Sequence, residues 1–264
     1  FLQDEWSFAP RWRLIPSYRY DHFWFEADDT LFYTIPGSTS PDNRPTRDPG
    51  EFTEDSHTGG LGLAFDVTES WSLMGSWFRG YRLFPPSFGL RQLGYGVLAP
   101  NGLLDPVTGD TYELSTRVRG EVVSATVTGY FTDFNNFQQP IPGSYDGMTA
   151  YDFDGNGAVD PDEQIYVNAA NGDAYVQGVE VECEVDLGGI MPERNGWRFF
   201  PGFMWNEGRM EFPGTAEEPL RHTHPMRGLF RLRYDDPKPR HKWWLELSAD
   251  VVARYDAISE SRLT

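Results

Sequence analysis

The sequence predicts an all-β protein: an antiparallel up-and-down transmembrane β-barrel with long loops at one end, of which the alternation counts about nine strands. Three observations carry this. Stretches in which apolar and polar residues alternate recur along the 264 residues. The connections between them are alternately long and short. Aromatic residues make up 16% of a chain whose mean hydropathy is only -0.53, the balance of a protein whose strands show one apolar and one polar face.

The clearest element is the hairpin Asp110–Phe134. Tyr112, Leu114, Thr116 and Val118 share one face, and Glu113, Ser115, Arg117 and Arg119 the other. A turn at Arg119-Gly120-Glu121 leads into Val123, Ala125, Val127, Gly129 and Phe131, alternating with Ser124, Thr126, Thr128, Tyr130 and Thr132.

Before the hairpin, Arg11–Phe23 reads as a first strand, with Pro16 a local interruption of its ladder. Glu26–His57 is rich in Pro, Asp, Thr and Gly and predicts a long loop. Gly60–Val67 and a run from Trp71 through Trp77 are strands two and three, joined by Thr68-Glu69-Ser70. A second long connection runs from Gly80 to about Gly109.

After the hairpin, Asn135–Gly172 reads as a third long loop, an insertion at the loop-rich end. In the strand Tyr175–Leu187, Val179, Val181, Cys183 and Val185 alternate with Glu180, Glu182 and Glu184. Three carboxylates on one strand face need water, which suits a hydrated lumen. Trp197–Trp205, Arg227–Tyr234 and Trp243–Tyr255 complete the strands, with a long loop over Asn206–His224. Sorting loop length by parity is the habit of a membrane barrel; a soluble β-sandwich has no reason for it. On this reading Leu61, Leu63, Phe65, Leu114, Val127, Val181, Phe203 and Leu247 face lipid, and Glu113, Glu180, Arg231 and Glu246 face the interior.

A net charge of -18 and a pI near 4.6 argue against nucleic-acid binding. No apolar run approaches the ~20 residues of a membrane helix, though such a search is blind to membrane strands. The one cysteine, Cys183, reads as a small apolar strand residue and excludes an internal disulfide. The opening Phe1-Leu2-Gln3 carries no signal peptide, and residues 1–264 are expected to be a fragment of a longer protein.

Five phrases then resemble a known family in its own order. They are Gly80-Tyr81-Arg82-Leu83-Phe84-Pro85-Pro86-Ser87, Asp110-Thr111-Tyr112-Glu113-Leu114, Thr128–Phe134, Gln177–Glu182, and His224-Pro225-Met226-Arg227-Gly228. Together they resemble the C-terminal part of the barrel of TonB-dependent outer-membrane receptors. Leu83-Phe84 departs from the family's usual small residue. The resemblance implies a barrel of about 22 strands with a plugged lumen, in the bacterial outer membrane among lipid and lipopolysaccharide. It also implies active uptake of a scarce ligand such as a ferric siderophore, cobalamin or an oligosaccharide, energised by a TonB-type partner acting on a plug, and no enzymatic chemistry. A reading of another class is a non-transporting surface or adhesion β-protein stabilised by calcium.

Within the third loop, Asp152 to Glu163 matches the spacing of an EF-hand calcium loop. Asp152, Asp154 and Asn156 would offer side-chain oxygens, Ala158 its carbonyl, Asp160 a direct or water-mediated ligand, and Glu163 a bidentate carboxylate. Gly157 makes the sharp turn. No amphipathic helix flanks the loop, so the expected role of the calcium is structural. No phosphate loop, nucleophile elbow or zinc spacing is present. His222 and His224 read as loop residues; Arg13, Arg19, Arg117, Arg227, Arg231 and Arg233 could meet an anionic ligand, but the expected partners are lumen carboxylates such as Glu180 and Glu182.

Overall fold

A computed structural model describes residues 1–26, 51–83, 91–93, 95–99, 104–145, 147–152, 155–214, 216–220, 223–238 and 243–254. Nine long strands follow one another: β1 Trp12–Glu26, β2 Glu51–Asp66, β3 Trp71–Arg82, β4 Val107–Arg119, β5 Val123–Pro142, β6 Ile165–Asp186, β7 Trp197–Glu211, β8 Arg227–Asp235 and β9 Trp244–Val252. Each pairs antiparallel with its neighbours in sequence, so the chain is one continuous meander. The short strands Leu2–Gln3 and Trp6–Ala9 pair with β1, and Glu218–Pro219 with β7. All described strands belong to a single sheet, and β1 and β9 are not paired with each other. A sandwich needs two packed sheets, so that form of the alternative reading is overturned.

The register aligns the apolar faces. Leu61, Trp77, Tyr112 and Phe131 are cross-strand partners in one row; Leu63, Gly75, Leu114, Gly129, Val179 and Trp205 in the next; Phe65, Leu73, Thr116, Val127, Val181 and Phe203 in the third. Among the described residues nothing covers this face: Leu114 is 68% exposed and Leu247 61%. A soluble protein does not leave such an apolar surface bare, whereas a membrane barrel presents it to lipid. Aromatic side chains bracket the aliphatic band. Toward the long connections lie Trp77, Tyr112, Phe131 and Tyr175, the last two with ring centroids 5.9 Å apart. Toward the short turns, Trp197, Tyr234 and Trp243 form a chain of rings at 5.1 and 5.0 Å, and Trp12 packs on Phe65 at 4.4 Å. These two aromatic rows mark the membrane interfaces.

The strands run further than the sequence predicted. β2 begins at Glu51, nine residues before the expected Gly60, and pairs with β1 through Glu26. The stretch 135–172 narrows to a connection over 143–164, because β5 and β6 hold their ladder through Tyr166↔Pro142. The physical reason is common to both. Beyond the lipid band both strand faces meet water, so a paired strand there has no apolar alternation to betray it. Pro16 sits opposite Leu61 in an unbroken β1, and its carbonyl accepts the Asp4 N–H at 3.2 Å. Residues 27–50, read as loop, lie outside the described residues.

Candidate functional site

Two regions carry chemistry: the inner face of the sheet and its long-connection end. The inner face follows from strand alternation. Residues next to the lipid-facing ones point inward, so Glu113, Glu180, Arg231 and Glu246 share the face opposite the apolar rows. Ion pairs on it connect close neighbours in the sheet. Arg13 contacts Glu5 at 3.3 Å and Asp66 at 3.5 Å, and Arg19 contacts Asp21 at 2.6 Å. Arg227 donates through Nε to Asp250 at 2.7 Å. Arg233 and Arg198 share Asp235, at 2.8 and 2.7 Å, and Arg198 reaches Glu184 at 3.3 Å.

The expected pairing with Glu180 and Glu182 is therefore corrected. Their direct cross-strand neighbours are Thr128, Met204, Thr126 and Gly202, none of them cationic. Arg231 instead lies over the Phe200 ring at 4.9 Å, and among the described residues Arg117 and Arg231 form no ion pair. These two arginines, with Arg119, Glu182, Glu184 and Phe200, line an open cleft of about 570 Å³. Such a mixed-charge, concave surface can bind polar groups inside a hydrated lumen. Cys183 also lines it and is half-buried.

At the long-connection end the strands carry two small cores. In one, Val97, Ala99 and Ile165 are buried, with Tyr145, Tyr151 and Val167 packed against them. In the other, Ala174, Met210, Phe212 and Leu220 pack with Phe134, Phe137 and Val176. Neither core was legible in the sequence: the strands Arg91–Leu93 and Gly96–Leu98 that help build the first are only three residues long. Above the apolar band, β1 and β2 carry a polar cluster. His22 Nδ1 and Tyr20 Oη each lie 2.7 Å from Asp55 Oδ1, and Tyr18 Oη lies 2.7 Å from His57 Nδ1. The hydrogen bond from His22, and then that from Tyr20, holds the Asp55 carboxyl below its ordinary pKa.

The calcium-type loop has a defined shape. Asp152 accepts from the backbone N–H of Gly155, Asn156 and Gly157 at 2.7, 3.1 and 2.8 Å. Gly155 and Gly157 have φ of 72° and 80°, which side-chain-bearing residues rarely adopt. Asn156 Nδ2 donates to Asp160, and Asn156 Oδ1 accepts from the Ala158 N–H at 2.7 Å. Glu163 is 3% exposed, and its Oε2 accepts the Asp160 N–H at 3.0 Å. The donor types suit a hard cation, and Asp152, Asn156, Ala158, Asp160 and Glu163 all lie on this one turn of chain. Among the described residues, however, no three acidic, His or Cys side chains gather as a metal cluster, and Asp154 lies outside the described residues, as does His222.

Comparison with known proteins agrees with the geometry. A family model described as TonB dependent receptor-like, beta-barrel, matches residues 1–264. The hemoglobin and hemoglobin-haptoglobin-binding protein A of Haemophilus influenzae is 25% identical over 197 residues, covering 73% of this chain and 17% of that protein. The solved copper transporter OprC superposes with a TM-score of 0.67 at 18% identity, covering 97% of this chain and 35% of that one. The ferric yersiniabactin uptake receptor FyuA of Yersinia pestis gives 0.57 at 17%, covering 94% and 32%. The two structural likenesses concern fold, and the chain spans well under half of each of these proteins. Among the described residues no helix is long and apolar enough to cross a membrane; the crossing elements are the strands. Proteins of this family are outer-membrane transport receptors rather than enzymes. The chain belongs to the TonB-dependent receptor family, as part of its outer-membrane β-barrel.

Proposed function

We propose that this chain is the barrel portion of a receptor that takes up a scarce ligand across the outer membrane, with energy supplied by a TonB-type partner acting on a plug. The observation that carries the reading is the single meander with a bare apolar outer face and a charged inner face, matched along its whole length by the family model. The transported ligand is an iron-bearing one such as a ferric siderophore, ahead of cobalamin or an oligosaccharide. The hemoglobin-binding name of the curated relative supports that order. The outer face, with its aromatic rows, meets membrane lipid and lipopolysaccharide. Uptake of radiolabelled iron from ferric siderophores, in cells with and without the intact receptor gene, tests the reading. Uptake that needs both the receptor and a functional TonB protein is expected; uptake indifferent to both contradicts it.

The loop over 152–163 carries a structural calcium ion in this reading, held by Asp152, Asp154, Asn156, the Ala158 carbonyl, Asp160 and Glu163. The twelve-residue spacing and the two left-handed glycines support it. The ion would stiffen an extracellular connection and takes no part in transport chemistry.

A further inference from the structure

The segment Tyr95–Ala99 belongs to the connection between β3 and β4, yet it is built into a different part of the protein. Gly96–Leu98 lies parallel to the start of β6, with Val97 opposite Ile165 and Leu98 opposite Tyr166. The Val97 N–H donates to the Gln164 carbonyl and the Ala99 N–H to the Tyr166 carbonyl, both at 2.8 Å. This is the one parallel pairing among the described strands. A meander does not require it, and the chain must cross over β4 and β5 in sequence to make it.

The fit is close. Val97 and Ile165 are both 0% exposed, among the most deeply buried side chains of the described residues. At Gly96 a Cβ would stand 2.7 Å from the Gln164 carbonyl oxygen and closer still to the Tyr166 ring. Tyr95 meets Tyr166 edge-on at 5.1 Å. On its other side the same short stretch of chain is tied to the 143–164 connection. Ile165 N–H donates to Thr149 at 2.9 Å, Tyr151 N–H to Glu163 at 2.9 Å, and Gly143 N–H to Ile165 at 3.0 Å.

We infer that Gly96–Leu98 is a clasp that joins the β3–β4 and β5–β6 connections into one mechanical unit at the long-connection end. The residues Gln164–Tyr166 are held between the strand Gly96–Leu98 of one connection and the backbone of Thr149–Tyr151 of the other. A force or ligand that displaces either connection therefore displaces both. Releasing the clasp exposes Ile165 and removes one of the two ladders that fix the exit of the 143–164 connection.

The test uses the full-length receptor in lipid, with chelator in every sample so that no cation bears on the result. Gly96→Val and Val97→Asp are each compared with wild type by hydrogen exchange. Faster exchange by tenfold or more is expected in 95–99 and, with it, in 145–151 and 163–167, while 112–131 is unchanged. Release of 95–99 with unchanged protection of 145–167 would overturn the clasp. So would unaltered exchange of 95–99 in both variants, since the docked strand would then not depend on the contacts that define it.

Discussion

Val127 and Thr128 are adjacent on β5 and belong to opposite worlds. Val127 lies in register between Thr116 and Val181 on the apolar face, and Thr128 between Ser115 and Glu180 on the charged one. The Thr128 hydroxyl lies 2.9 Å from Ser115 Oγ, within hydrogen-bond range. One residue of slip would exchange the faces of the whole strand.

Val127→Arg places a cation within the lipid band and should destabilise the barrel by ~2–4 kcal/mol. Thr128→Ala removes one lumen hydrogen bond and should cost about 1 kcal/mol or less. Denaturant titration of the receptor refolded into lipid vesicles measures both. Equal costs at the two positions would contradict the assignment of faces.

Asp55 supplies a pH dependence. Its carboxyl has a lowered pKa in the folded protein, through His22 first and Tyr20 second. Its contribution is therefore fully present above the unfolded value of about 3.9 and is lost as pH falls through the lowered folded value. Hydrogen exchange of the paired segments 18–26 and 51–58 should accelerate below about pH 4. Asp55→Asn should abolish that acceleration. The group is exposed, so the effect is local to this two-stranded extension.

The calcium reading predicts protection of the 143–164 connection. In limited proteolysis of wild type and Glu163→Gln, each with calcium or chelator, only wild type with calcium should resist cleavage there. The barrel should stay intact in all four samples, since the loop lies outside its ladder. Equal cleavage in all four would make the loop an acidic turn held by its own hydrogen bonds, those of Asp152 to three N–H groups among them.

Much of the barrel is legible in the sequence because lipid and water act on alternate residues. The face that each residue from Val123 to Thr132 takes follows from that alternation, while the register of the strand against β4 and β6 is seen only in the structure. Where the constraint ends, the legibility ends. Glu51–Thr58 and Asn135–Pro142 form strands without an apolar face, so their composition reads as loop. The ion pairs were only partly legible. That inward arginines meet carboxylates follows from burial and charge, but the choice of Asp250 for Arg227, in place of Glu180 or Glu182, depends on the register between β8 and β9. The contact of Val97 with Ile165 was not legible at all, since it joins residues 68 positions apart through a three-residue strand.

One face of this sheet meets lipid and the other meets water. Spin labels at Leu114 and at its neighbour Glu113, placed singly in the receptor in lipid vesicles, distinguish the two environments. Collision with dissolved oxygen should dominate at position 114, and collision with a water-soluble nickel complex at position 113. The reverse preference, or the same environment at both positions, would contradict the claim.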